Sequence, residues 1–406
     1  MKVLHLLTTP EGGAARVALN LSGGLVQAGV ESTLLAMRGN GVPVVQRPAS
    51  LLTALQRARH RWDFRAFRQH LRAAGRPRWE RFSDDRAPAS KHLAAVVGDC
   101  DILHLHWISD FVNLGDFFLK LPSRVKIVWT MHDAWAFTGG CHFPEGCDRF
   151  TEACGRCPQW GSSSENDFSH GSLLRRDIGY VGLSPDRSRL VAPSHWLAGL
   201  ARRSRVFRDR EVAVIRNGIA GFVRQDRAKA RRELNLPQDA DVVLFLADSG
   251  DNRRKGLALL AEALPLVESH RERILLVVGG ACIDAPRGWE VRALGYVTGA
   301  ESLSLAYSAA SVFVHPALED NLPSTVLEAL ACGTRVVGFS VGGLPELVTS
   351  PELGCLAWPV HFEPLAAALS ATLHRSQRQA DVPIGAAVSV EQMTSDYLDL
   401  YAELHR

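Results

Sequence analysis

A polar loop, Glu319-Asp320-Asn321-Leu322-Pro323-Ser324, stands between the apolar run SVFVHPA (311–317) and a helical pattern that begins near Thr325. A helix start offers free backbone N–H groups and a positive dipole end, which suit a diphosphate. Glu328 falls in the first turn and can take the two hydroxyls of a ribose. The same residues allow a second reading, because Thr325-x-x-Glu328 has the spacing of a capping box. His132 closes another apolar run, KIVWTMHD (126–133), where it can bond a ligand or simply a backbone group. Gly12 and Gly13 follow the first run and let a backbone approach a ligand closely, although any tight turn needs a glycine. Cys141, Cys147, Cys154 and Cys157 are spaced C-x5-C-x6-C-x2-C. Four thiolates, the last two at chelating spacing, suit a closed structural zinc site, with His142 as an alternative ligand. A cysteine-rich loop without metal, reduced or oxidised, is the other reading.

These residues must be held by something. Short apolar runs recur, each closed by Gly or polar residues and followed by a helical pattern. In the first half they are 2–8, 101–107, 126–133 and 189–194. In the second they are 241–248, 273–280, 291–297, 311–317 and 334–340. Runs of this length without alternation suit strands covered on both faces, and strands separated by helices imply a parallel sheet. Two such series predict an α/β chain of two Rossmann-like, doubly wound domains. The turn signal Asn217-Gly218 divides them into a first domain, 1–217, and a second, 218–387. A C-terminal helix, 388–406, is expected to be able to pack back on the first. Ligands bind beyond the carboxyl ends of strands in open parallel sheets. That rule selects Gly12, Gly13, His106, Trp107, His132, Asp133 and Ser194 in the first half. In the second it selects 249–255, Gly279, Gly280, Tyr296 and 319–324.

Composition excludes several classes. The chain has 406 residues, 46% hydrophobic and 22% charged, as in a soluble enzyme. A net charge of +3 gives no case for nucleic acid. No apolar stretch of about 18 residues occurs, and MKVLHLLTTPEGG reads as a buried strand rather than a signal peptide. A cytoplasmic protein with reduced cysteines is expected. Between Arg57 and Lys91 there are eleven Lys/Arg against four Asp/Glu, and from Trp62 to Phe82 aromatic residues interleave with arginines. Such a segment can touch the inner face of a membrane weakly, or form a solvated surface helix. Asp99-Cys100-Asp101 and Asp239-Ala240-Asp241 look like Asp-x-Asp metal motifs, but both precede strands and so lie at the wrong edge of the sheet.

The segment from His315 to Val348, HPALEDNLPSTVLEALACGTRVVGFSVGGLPELV, resembles the signature of the family-four glycosyltransferases: a Glu-x7-Glu motif, an Ala-rich helix, a Gly and a strand. Asp320 and Glu328 have the spacing, with Asp in place of the first Glu and Glu319 beside it. ADSGDNRRKGLALLAEAL (247–264) resembles the phosphate-binding segment, with Lys255 matching its Lys. Ser249 stands at the usual Arg, for which Arg253 or Arg254 can substitute. PEGGAARVALNL, TMHDAWAFTGGC, APSHWLAGLARRS and VIRNGI resemble further family segments, so the likeness covers most of the chain outside 40–92. It implies the GT-B fold, two domains facing across a cleft, and retaining sugar transfer without a metal or other catalytic cofactor. Lys255, a nearby Arg and the helix start would neutralise the leaving diphosphate. The implied donor site is Gly12, Gly13, Arg254, Lys255, Glu319, Asp320, Asn321, Leu322, Pro323, Ser324, Thr325 and Glu328, with His132, Asp320 and Lys255 closest to the reaction. The implied partners are a UDP- or GDP-sugar and a sugar or lipid-linked acceptor of polysaccharide or glycolipid synthesis. Two rivals remain: a nucleotide-sugar epimerase on the same fold, and a non-catalytic scaffold subunit.

Overall fold

The computed structural model describes residues 1–44, 80–87, 97–247, 252–375 and 389–405. Ser249 and the interleaved aromatic and arginine residues from Trp62 to Trp79 lie outside them. The chain forms two compact units, Met1–Gly218 with Val390–Arg406, and Ile219–Ser389.

Unit 1 is built on a six-stranded parallel sheet with the order β2-β1-β3-β4-β5-β6. Its strands are β1 (Lys2–Leu7), β2 (Glu31–Ala36), β3 (Ile102–Leu105), β4 (Lys126–Thr130), β5 (Ser188–Ala192) and β6 (Val212–Val214). The described helices of this unit are α1 (Gly13–Gln27), α2 (Phe168–Gly179), α3 (His195–Arg203) and α9 (Val390–His405). Successive side chains of a strand point to opposite faces. In β4, Ile127 and Trp129 join one core with Phe118, Phe137, Tyr180 and Phe207. Val128 joins the other, with Leu21 and Leu25 of α1 and Tyr397 and Tyr401 of α9. Both faces are thus dry, which is why the strand reads as an unbroken apolar run. α1 and α9 cross closely at Gly24, where an added Cβ would lie 2.1 Å from Thr394 Oγ1.

Unit 2 repeats the architecture, with the order β12-β11-β10-β7-β8-β9. The strands are β7 (Asp241–Ala247), β8 (Arg273–Gly279), β9 (Glu290–Gly295), β10 (Val312–His315), β11 (Val336–Phe339) and β12 (Gly354–Ala357). The helices are α4 (Arg227–Glu233), α5 (Leu257–Ala263), α6 (Ala300–Ala309), α7 (Ser324–Ala331) and α8 (Phe362–Arg375). Val242 and Leu244 of β7 pack on the α6 and α7 side. Val243 and Phe245 pack on the α5 and α8 side. No helix among the described residues is long and apolar enough to cross a membrane.

The two Asp-x-Asp sequences sit where the sheet rule puts them, at the amino ends of strands. Asp101 accepts a hydrogen bond from the Lys2 backbone N–H, and Asp241 one from Ser269 Oγ.

Candidate functional site

In unit 2, three loops meet beyond the carboxyl ends of β7, β10 and β11. The turn Arg253–Lys255 ends at Gly256, which is left-handed (φ 71°); a Cβ there would lie 1.8 Å from the Pro316 carbonyl. Only glycine permits so close an approach. The Leu318 N–H donates to the Arg254 carbonyl, and Arg254 Nη1 donates to the Glu319 carbonyl at 2.7 Å. Gly342, also left-handed, brings the loop after β11 against Asp320, whose carbonyl accepts from the Gly343 N–H.

Asp320 is the hub of this assembly. Its Oδ2 lies 2.9 Å from Lys255 Nζ, 3.2 Å from Arg254 Nη1 and 3.2 Å from His315 Nε2. Burial alone would raise its carboxyl pKa; Lys255, Arg254 and His315 more than offset that and hold it well below the usual range. His315 is itself pushed down, by burial first, against the pull of Asp320. Among the acids of the motif, Asp320 thus has the two cations on its side chain, whereas Glu319 meets Arg254 through its carbonyl.

Glu328 is 1% exposed. Its Oε2 accepts from Tyr307 Oη of α6 at 2.9 Å, and Tyr307 is tied in turn by Thr334, which donates to its carbonyl. The capping box is absent. α7 starts at Ser324 with Pro323 as N-cap and no side-chain cap bond, so Glu328 lies too deep in the helix to close back on the cap. Tyr307, Gly342 and His315 escaped the sequence reading. Tyr307 lies in a helix with an ordinary core pattern and carries no motif of its own.

Unit 1 places a column of imidazoles at the same end of its sheet. His5 and His104 are register partners on β1 and β3, and His106 and His132 follow β3 and β4. His5 Nδ1 lies 2.9 Å from His106 Nε2, and His106 Nδ1 lies 3.1 Å from His132 Nε2. The rings of His104 and His106 stack at 4.3 Å. The nitrogens of His104 go to Tyr401 Oη and Thr130 Oγ1, and Thr130 Oγ1 also bonds Tyr397 Oη. Burial holds all four neutral: His5 is pushed down to about 3, His132 to about 4 against a small opposing pull from Asp133, and His104 and His106 fall well below the usual value. One nitrogen from each of His5, His104 and His106 lies within 4.8 Å of the others, a spacing that can hold a metal ion. The sequence signal for His5 and His104 was a histidine inside an apolar strand.

Asp133 Oδ1 caps the turn Ala134–Phe137 by accepting from the Trp135 N–H. Its Oδ2 lies 2.7 Å from His142 Nδ1, and His142 Nε2 lies 2.9 Å from Ser83 Oγ. This is the order of a hydrolytic triad. Ser83 is fully buried, however, and the set serves to tie 80–87 to the loop after β4. Ser194 is likewise structural, capping α3 through the Leu197 N–H. Gly12 (φ 90°) is the N-cap of α1, with open space where its Cβ would stand.

The four clustered cysteines line one cavity of about 20 Å³ together with Phe82, Arg149 and Phe150, and none forms a disulfide. Burial pushes the Cys154 and Cys157 thiols up to about 12. No three of the sulfurs approach within 4.8 Å of one another; the histidine group alone meets that spacing among the described residues. His142, engaged by Asp133 and Ser83, is not among the residues lining this cavity.

Two family profiles match the chain: "Glycosyltransferase Family 4" over residues 11–220 and "Glycosyl transferases group 1" over 240–375. A protein of Escherichia coli (strain K12) named as a colanic acid biosynthesis glycosyl transferase, WcaC, is 24% identical over 97% of either chain. A D-inositol 3-phosphate glycosyltransferase of Streptomyces scabiei is 34% identical over 45% of either chain. The crystal structure of Anabaena HepE in complex with UDP superposes with a TM-score of 0.66 at 15% identity, covering 99% of this chain and 100% of that one. Its two-sheet architecture is the GT-B fold.

Proposed function

This chain belongs to glycosyltransferase family 4 and is a retaining, nucleotide-sugar-dependent glycosyltransferase; we propose that its donor is a UDP- or GDP-sugar held by unit 2. The carrying observation is the charge cluster on Asp320. Lys255 and Arg254 are cations fixed in place before any ligand arrives, and the Asp320 carboxylate sets their positions. A donor diphosphate brings negative charge to Lys255, Arg254 and the start of α7, where Ser324 and Thr325 lead the helix. Glu328, oriented by Tyr307, takes the ribose hydroxyls. The loop of Glu319, Asp320, Asn321, Leu322 and Pro323 meets the sugar and phosphates. UDP in HepE, and UDP with glucose in a second HepE complex, support a uridine nucleotide.

In unit 1, His132 bonds a hydroxyl of the reacting sugar, and Gly12 and Gly13 give a phosphate or acceptor close access to the backbone. Burial pushes His132 down to about 4, which makes it a weak base, so it orients rather than transfers a proton. On the front-face route the leaving phosphate oxygen takes the acceptor proton, so no protein nucleophile is needed. The acceptor is a sugar or lipid-linked sugar of polysaccharide assembly, in keeping with the WcaC relative. The cysteine loop is suited in kind to one structural zinc, whose binding would draw the four sulfurs inward and deprotonate them.

The test is a donor assay with titration calorimetry. His132→Gln should lower kcat while leaving UDP or GDP binding nearly intact. Slow donor hydrolysis by the wild type supports transfer; interconversion of the sugar, or binding without turnover, would favour the epimerase or the scaffold.

A further inference from the structure

The chain His5–His106–His132 runs from the middle of the sheet to its carboxyl edge through two imidazole–imidazole contacts of 2.9 and 3.1 Å. These are hydrogen-bond lengths, so each contact has one donor and one acceptor. All three rings are neutral, and a neutral imidazole carries its proton on one nitrogen only. The tautomers are therefore not independent. Fixing one fixes the others.

The inner end supplies the missing condition. His5 Nε2 is buried and has no hydrogen-bond partner among the described residues. A buried N–H without an acceptor is rarer and costlier than a buried acceptor without a donor. The proton of His5 therefore belongs on Nδ1, where it is donated to His106 Nε2. His106 must then carry its own proton on Nδ1 and donate it to His132 Nε2. His132 is left with its proton on Nδ1. His104 stays outside the chain, because Tyr401 and Thr130 occupy its nitrogens; its ring stacks on His106 and fixes that plane.

We propose that His5 and His106 are positioning residues that lock His132 as the Nδ1–H tautomer, with its Nε2 lone pair consumed, so that it acts on substrate as a hydrogen-bond donor and not as a base. The proposal rests on the reading of His132 as an active-site residue only for its effect on rate; the tautomer itself is independent of that reading. A carbonyl-like or hydroxyl oxygen of the sugar is the group such a donor recognises.

The decisive measurement is a long-range ¹H–¹⁵N spectrum of histidine-labelled full-length protein, with His132 assigned by its loss in His132→Gln. Pyrrole-type Nδ1 and pyridine-type Nε2 are expected for His132, and the opposite pattern overturns the proposal. Kinetics give a second arm. Asn places an amide N–H near the position of Nδ1, whereas Gln places its own near Nε2. His5→Asn should therefore keep kcat within about twofold, while His5→Gln and His5→Leu lower it about tenfold with the Kd for UDP unchanged. Equal loss in His5→Asn and His5→Leu, or no loss in any variant, overturns the positioning role. Wild-type turnover in His132→Gln would instead defeat the active-site reading of His132, and the spectrum would still decide the tautomer.

Discussion

The two units solve one physical problem by opposite means. Each places polar side chains at the carboxyl ends of buried strands, where water is largely excluded. Unit 1 does it by removing charge: four imidazoles are kept neutral and pass hydrogen bonds to one another and to Tyr401 and Thr130, and Thr130 bonds Tyr397 in turn. Unit 2 does it by balancing charge: one carboxylate is compensated by two cations. A neutral network is suited to orienting a sugar, since it can present donors and acceptors in fixed directions. A compensated cluster is suited to a diphosphate, since an incoming anion meets cations already in place. The difference also dictates how each unit should fail.

The largest effect is expected where compensation is broken. Asp320→Asn leaves Arg254, 5% exposed, and Lys255 without their carboxylate, and should destabilise unit 2 by about 3–5 kcal/mol. Denaturant melts followed by hydrogen exchange of peptides from each unit would show it; a loss shared equally by unit 1 would break the comparison. Acid should act the other way round. His5, His104 and His106 have lowered pKa values in the folded protein, so below pH 6.5 the unfolded chain binds protons that the folded one does not. Stability therefore falls as pH drops from 6.5 towards 4, by up to about 1.4 kcal/mol per pH unit for each such group. Among the described residues of unit 2 only His315 adds a lowered imidazole of this kind, while Asp320, with a folded pKa lowered beneath 3.8, contributes stability above that pH and loses it only as pH falls through the lower value. Between pH 6.5 and 4, exchange protection should collapse in unit 1 first, and simultaneous loss would show that the units do not differ.

Smaller effects sharpen the roles within unit 2. Lys255→Ala should weaken UDP by about 1.5–3 kcal/mol while leaving uridine almost unchanged, because a charge-assisted contact to phosphate is lost. Calorimetry with both ligands checks this, and an equal loss for uridine would remove Lys255 from the diphosphate. Tyr307→Phe should be the mildest, about 1 kcal/mol in nucleoside affinity through a less constrained Glu328. No change would show that helix packing alone orients the carboxylate.

What the sequence revealed follows the same division between covered and uncovered positions. Interior strands announced themselves as apolar runs because both faces are dry. The strands that escaped, β2, β6 and β12, are edge strands, although the fourth edge strand, β9, did show as the run 291–297. β2, ESTLLA, has only its last residue buried, so the signal that marks its neighbours is missing. The motif pointed to Asp320, Lys255 and Glu328, and the first two meet in the structure, but motif spacing says nothing about contacts made through space. Tyr307 reaches Glu328 from a separate helix, and Gly342 reaches Asp320 from a separate loop. His5 was passed over for a simpler reason: a histidine within a run of leucines stands out, but it has no partner until β3 is laid beside it. The capping box was a false local solution, excluded only when Pro323 proved to be the cap.

The close crossing of α1 and α9 at Gly24 and Thr394 bears on how the molecule is made. The chain leaves unit 1 at Gly218 and returns only at Val390. During translation, the whole of unit 2 emerges before the helix that carries Tyr397 and Tyr401. Until then Val3, Val128 and Val191 have no α9 to cover them, and His104 lacks its Tyr401 partner. The second unit to be synthesised can thus be the first to finish folding. The nascent first unit must wait with one apolar face open, the state in which a chaperone would be expected to hold it.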